Sequence, residues 1–141
     1  MRTLAIDYGT ARVGVAISDA AGRLALPLAI LQRDPEGVYL QRLVEIIAER
    51  GVERIVVGLP LTLQGEAGPA ATSVNEFITA LQTAVDTEIV SWDERLTSAQ
   101  VEKAMAQAGL STRDRRGRVD AAAATLILQS YLDAHEQANQ Q

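Results

Sequence analysis

Asp7, Asp93, Glu94 and Asp120 are the residues whose type and placement could do chemistry in this 141-residue chain. There is no cysteine, and the single histidine, His135, lies six residues from the C-terminal end. Disulfide frameworks, thiolate zinc sites and cysteine nucleophiles are thereby excluded, and a Ser-His-Asp triad is disfavoured. What remains is carboxylate chemistry. Clustered carboxylates repel one another unless they are protonated or bridged by cations. An all-oxygen donor set suits Mg²⁺ or Mn²⁺. Two such ions about 3.5–4 Å apart can activate a water and stabilise the leaving oxygen of a phosphodiester.

The carboxylates must be brought together by the elements that carry them. Thr3-Leu4-Ala5-Ile6 reads as a buried strand that ends at the turn Asp7-Tyr8-Gly9-Thr10. Val13 to Ser18 and Leu24 to Leu31 follow as two more strands across tight turns, predicting an antiparallel meander. The period then changes. Asp34-Pro35 is a helix-start signal, Leu40, Leu43, Val44 and Ile47 recur at helical spacing, and Gly51 suits a left-handed C-cap. Arg54 to Leu59 is a continuous apolar strand of the kind covered by helices on both faces. Pro60 to Gly68 is a loop, and Val74, Phe77, Ile78, Leu81 and Val85 mark a second helix.

Glu88 to Ser91 is a fifth strand leading into Asp93-Glu94. Thr97 with Gln100 forms a capping box for a third helix, which Gly109 ends. Residues 110–118 read as a mobile basic loop, a last helix runs from about Asp120 to His135, and residues 136–141 as a disordered tail. The order predicts one α/β domain over residues 1–141. Its sheet has five strands, with strands 1–3 antiparallel, strands 1, 4 and 5 parallel, and helices on both faces. Ligands of such sheets bind beyond the carboxyl ends of the parallel strands. Asp7, Asp93-Glu94 and Asp120 all fall there. Glu94 is the first choice as ligand and Asp93 a second; neighbouring residues at a strand end point opposite ways, and the pattern alone does not decide between them. Bland roles compete: Asp7 as a turn cap, Asp120 as a helix cap, Glu94 in an ion pair with Arg95.

Thirteen basic against eighteen acidic residues give a net charge of −5, which counts against a surface that binds nucleic acid indiscriminately. The distribution is uneven, however. Arg113, Arg115, Arg116 and Arg118 place four positive charges within six residues, the best place for phosphate. No apolar run approaches a membrane span and no secretory signal is evident, so no membrane partner and a cytoplasmic location are expected.

Four stretches, in this order, sharpen the reading: Asp7-Tyr8-Gly9-Thr10-Ala11-Arg12-Val13-Gly14-Val15-Ala16, Val56-Val57-Gly58-Leu59-Pro60-Leu61, Asp93-Glu94-Arg95-Leu96-Thr97 and Val119-Asp120-Ala121-Ala122-Ala123. Together they resemble the YqgF/RuvX family over nearly the whole chain. That resemblance implies an RNase H-like fold related to the RuvC junction resolvases. It also implies metal-dependent cleavage of nucleic-acid phosphodiesters, in resolving Holliday junctions or maturing the 5′ end of pre-16S rRNA. Carried over by motif, Asp7, Glu94 and Asp120 would be the catalytic metal ligands. Gly9, Thr10 and Arg12 would receive a phosphate, Arg95 would pair with Glu94 or with substrate, Pro60 and Gly65 would shape the cleft rim, and Arg113, Arg115, Arg116 and Arg118 would hold flanking phosphates.

The implied partners are branched DNA or structured ribosomal precursor RNA, with a homodimer required if two symmetric nicks are made. Two other classes compete with the nuclease. Asp7-Tyr8-Gly9-Thr10 also resembles the phosphate turn of actin-like ATPases and sugar kinases, which would make the chain a nucleotide-binding module. A non-catalytic partner in transcription or ribosome assembly is the third.

Overall fold

The computed structural model describes residues 1–62, 64–96 and 119–139, with 119–121 and 136–139 described by their backbone alone. Strands β1 (Thr3–Tyr8), β2 (Arg12–Ser18) and β3 (Ala25–Gln32) are followed by helix α1 (Val38–Glu49), strand β4 (Arg54–Leu59), helix α2 (Pro69–Ala84) and strand β5 (Glu88–Asp93). A 3₁₀ turn, Glu94–Leu96, and helix α3 (Val119–Asn139) complete the described elements. The sheet order is β3-β2-β1-β4-β5, with β1–β2 and β2–β3 antiparallel and β1–β4 and β4–β5 parallel. This is the expected mixed sheet.

Alternation along the strands sorts the two faces. Leu4, Ile6, Val13, Val15, Ile17, Ile55 and Val57 pack against Leu43, Ile46 and Ile47 of α1 and Val74, Phe77 and Leu81 of α2. The opposite face carries Ala5, Ala16, Ala25 and Val56 under Ala124, Ile127, Leu128, Tyr131 and Leu132 of α3. Three alanines on that face let α3 lie close to the sheet. Among the described residues no helix is long and apolar enough to cross a membrane.

Several boundaries differ from the sequence expectation. β1 does not stop before Asp7: Asp7 pairs with Gly14 and Tyr8 with Val13, because the antiparallel ladder with β2 continues. β5 runs on to Asp93, since Gly58 pairs with Trp92 and Leu59 with Asp93. α1 starts at Val38 rather than at Asp34-Pro35. The Asp34 carboxylate accepts the N–H groups of Val38 and Tyr39 at 2.9 Å each, and Gly37, in left-handed conformation (φ 78°), is the N-cap. Asp34 therefore serves the helix start from a preceding turn. At the other end Gly51 (φ 62°) closes α1, with Val52 N–H on the Ile47 carbonyl and Gly51 N–H on that of Ala48, the expected C-cap. α3 continues to Asn139, into the segment expected as a tail. The helix expected from Thr97, its end at Gly109 and the basic loop 110–118 lie outside the described residues.

Candidate active site

The face parity that buries Ala5 and Val56 under α3 carries two residues further to Asp7 and Gly58. On β5 it runs from Val90 and Trp92, both packed on that face, to Glu94 just past the strand end. Three parallel strands thus deliver Asp7, Gly58 and Glu94 to one place, at their carboxyl ends.

Gly58 makes the arrangement possible. A Cβ built on it would stand 2.8 Å from Glu94 Oε1 and 2.6 Å from Ile127 Cδ1. The Glu94 carboxylate occupies the room a side chain would take. It is pushed above the ordinary glutamate range, first by burial, then by the negative charges of Asp7 and Asp93. A carboxyl that resists ionisation beside a second carboxylate, with oxygen donors only, is a donor set that a divalent cation fits.

Asp93 has another employment. Arg95 donates to it from its main-chain N–H (2.9 Å to Oδ1), from Nε (3.1 and 3.0 Å to Oδ1 and Oδ2) and from Nη2 (2.6 Å to Oδ2). Those side-chain hydrogen bonds hold the Asp93 carboxyl below its ordinary range. The expected pairing of Arg95 with Glu94 is therefore replaced by one with Asp93. Two residues back along the chain is the reach a guanidinium needs to fork onto a carboxylate, whereas Glu94 is turned into the sheet. Gly65 (φ 83°) lies against the Arg95 guanidinium, whose nitrogens would be 3.4 and 3.5 Å from a Cβ there, so the loop after β4 borders this ion pair.

Between β1 and β2, Gly9, Thr10 and Ala11 form an exposed or half-exposed turn at the same end of the sheet. A Cβ on Gly9 would sit 2.7 Å from the Arg12 carbonyl oxygen that accepts the Gly9 N–H at 2.9 Å. Only glycine closes the turn this tightly. Arg12, exposed, opens β2 opposite Gln32.

Asp120 is in the first turn of α3, and its side chain lies outside the described atoms. The direction of α3 fixes which end that turn occupies. Arg54 Nη1, at the start of β4, donates to the Tyr131 hydroxyl at 2.8 Å, while Ile127 abuts Gly58 near the end of β4. α3 therefore runs antiparallel to β4, and its N-terminal turn lies toward the strand ends that carry Asp7 and Glu94. Among the described residues no three His, Cys, Asp or Glu side chains form a metal-holding group. Arg113, Arg115, Arg116 and Arg118 lie outside the described residues. The sequence reading gave Gly58 no role, although an isolated glycine inside an apolar strand is a signal of close approach.

A family model described as RuvX, Holliday junction resolvase, matches residues 1–134. A protein of Desulforudis audaxviator named "Putative pre-16S rRNA nuclease" is 46% identical over 136 residues, covering 96% of this chain and 96% of that protein. One of the same name from Chloroflexus aurantiacus is 44% identical over 131 residues, covering 93% and 86%. Among solved structures, Thermus thermophilus RuvC in complex with Holliday junction substrate superposes with a TM-score of 0.60 at 16% identity, covering 96% of each chain. Fowlpox virus resolvase with junction DNA gives 0.56 at 15%, covering 95% of this chain and 98% of that one. At such identities the likeness is one of fold, the RNase H-like fold expected from the sequence.

Proposed function

The chain belongs to the RuvX family, and from that premise we propose that it is a divalent-metal-dependent nuclease cleaving nucleic-acid phosphodiesters, with Asp7, Glu94 and Asp120 as the residues that hold Mg²⁺ or Mn²⁺. The observation that carries this reading is the Glu94 carboxylate, lodged in the space Gly58 leaves and raised in pKa by burial and by Asp7. When bound, a divalent cation polarises the scissile phosphoryl group and offsets the charge that develops on it. The rest falls to the chain's own residues: Glu94 and Asp7 would offer carboxylate oxygens to the cation from the ends of β5 and β1. Asp120 would complete the set from the first turn of α3: position 120 is seven residues, about 10 Å of helical rise, from Ile127 on the N-terminal side, which is the side of the strand ends.

Asp93 we assign to holding Arg95 rather than the cation, since both its oxygens are already engaged. Arg95 borders the cleft on the Gly65 side, positioned to meet a substrate phosphate. Gly9, Thr10 and Arg12 receive a second phosphate at the β1–β2 turn, and Arg113, Arg115, Arg116 and Arg118 neutralise the flanking backbone. The family description supports a four-way DNA junction as substrate, and the names of the relatives support the 5′ end of pre-16S rRNA. Junction resolution needs a homodimer, because one site per chain makes one nick. Either substrate belongs to the cytoplasm.

A cleavage assay on a four-way DNA junction, a plain duplex and a ribosomal precursor stem tests the reading, run with Mg²⁺, Mn²⁺ or EDTA. Wild type should cut one substrate selectively with metal and none in EDTA. Asp7→Asn and Asp120→Asn should each lose roughly a hundredfold or more in rate. Equal cutting by wild type and both variants would sink the assignment. Micromolar ATP binding without cleavage would favour the nucleotide-binding alternative.

A further inference from the structure

Arg33, the residue after β3, has no part in the carboxylate chemistry, yet it closes the β1–β2 turn. Its main-chain N–H donates to the Ala11 carbonyl at 3.0 Å, and its Nη1 donates to the carbonyls of Gly9 at 2.8 Å and Thr10 at 3.0 Å. All three carbonyls of the turn therefore end on one residue. The guanidinium is itself fixed from below: its central carbon lies 4.4 Å from the centroid of the Tyr8 ring, and Tyr8 stacks on Phe77 of α2 at 4.3 Å. Tyr8 and Asp7 are neighbours in β1 with side chains on opposite faces, so Arg33 works from the face opposite the carboxylates.

Peptide geometry then dictates where the donors go. The peptide bonds are trans, so the N–H of each unit points opposite to its carbonyl. With the Gly9 and Thr10 carbonyls drawn onto Arg33, the N–H groups of Thr10 and Ala11 point away from it. Among the described residues neither N–H has an acceptor. Two successive outward N–H groups in an exposed turn make an anion-binding concavity, and outward carbonyls would repel the same anion.

We propose that Arg33 is a positioning residue for a substrate phosphate, gathering the carbonyls of Gly9, Thr10 and Ala11 so that the Thr10 and Ala11 N–H groups face the anion. The role rests on reading the site as one for nucleic-acid phosphodiesters. Arg33 contributes geometry here, while Arg12 contributes charge.

Inorganic phosphate titrated into the ¹⁵N-labelled full chain in EDTA, followed by amide NMR, tests this. The Thr10 and Ala11 resonances should move in wild type. Arg33→Met, which keeps an apolar chain over Tyr8 and removes the donors, should raise the titration midpoint about tenfold. Arg33→Lys, whose amine can donate to two carbonyls, should recover part of that loss. No movement at Thr10 and Ala11 in wild type, or equal midpoints in wild type and Arg33→Met, overturns the proposal. A second arm follows a labelled four-way DNA junction across salt concentrations in EDTA. Arg33→Met should weaken binding with the salt slope unchanged; a slope smaller by about 0.9 would make Arg33 a direct phosphate ligand and overturn the positioning role. Phosphate held at the turn by a wild type that binds neither junction nor ribosomal stem would support Arg33 while sinking the nuclease reading.

Discussion

Gly58 and Glu94 share one space: the carboxylate of Glu94 fills the volume in which a Cβ on residue 58 would stand, 2.8 Å from Oε1. Ile127 fills the rest, its Cδ1 2.6 Å from that same point. An alanine here must displace the Glu94 side chain, the packing of α3, or both. Gly58→Ala should therefore cost about 1–3 kcal/mol of stability, as overpacked cores do, and more than tenfold in cleavage rate at temperatures where the variant is folded. Gly68→Ala is the control, since a Cβ there meets only Thr62 Cγ2 at 3.7 Å. Urea denaturation and cleavage rates on both proteins check this; a fully active Gly58→Ala would show that Glu94 does not need its present position.

Stability should also depend on the charge of Glu94. Burial, then Asp7, then Asp93 raise its folded-state pKa above the unfolded value, so the folded chain holds this proton more tightly. Between the two pKa values stability falls as pH rises, and the penalty is complete above the folded pKa. In EDTA, Glu94→Gln should accordingly be more stable than wild type at neutral pH, with the difference vanishing below the unfolded value near 4.5. Metal should reverse the order by stabilising wild type alone. Thermal melts across pH, with and without Mn²⁺, decide it. A variant less stable than wild type in EDTA at pH 7 would contradict the strained-carboxylate picture.

Much of this was legible in the residues. Continuous apolar runs at Val13 to Ser18 and Arg54 to Leu59 gave strands buried on both faces, and the helical spacing of Leu40, Leu43 and Ile47 gave α1, because burial is written directly in the pattern. Strand adjacency at β1, β4 and β5 followed from the parallel crossovers and brought Asp7 and Glu94 to one end. Less visible were features set by tertiary partners. Asp34 looks like an N-cap, but its two oxygens reach Val38 and Tyr39 across a turn closed by Gly37. Arg95 was read against its sequence neighbour Glu94, yet rotamer reach selects Asp93. The three hydrogen bonds of Arg33 to the β1–β2 turn depend on the register of β3 on β2, which shifts between Val15 and Ala16 and which the meander pattern does not encode.

On the proposed reading, the Asp93–Arg95 pair separates holding a metal from holding a substrate. Asp93 spends both oxygens on Arg95 at 2.6–3.1 Å, with its side chain 20% exposed. Glu94→Gln should raise the Mn²⁺ concentration for half-maximal cleavage by roughly a hundredfold, and Asp93→Asn by less than tenfold. Asp93→Asn should act chiefly on KM, because Arg95 loses its anchor beside the cleft. A metal titration with both variants reads the difference. Equal shifts would place Asp93 among the ligands.

Gln129 sets how far along the sheet α3 sits, and so where its first turn falls. Its Oε1 accepts the Ala25 N–H and its Nε2 donates to the Arg23 carbonyl and to Asp133, each at 2.9 Å. The Arg54–Tyr131 hydrogen bond is a second clamp, also at the middle of the helix. Gln129→Ala strands the N–H of buried Ala25 and should cost about 1–3 kcal/mol in urea denaturation. With Tyr131 still in place, the register survives and cleavage should stay within about threefold of wild type. Combining it with Tyr131→Phe removes both clamps, and because the two act on one helix register their effects on cleavage should exceed the product of the single changes. Multiplicative rates in the double variant would mean that the register of α3, and with it the place of its first turn, is fixed by its other contacts: packing on Ala5, Ala16, Ala25 and Val56, and the Ser130 hydroxyl on the Leu96 carbonyl.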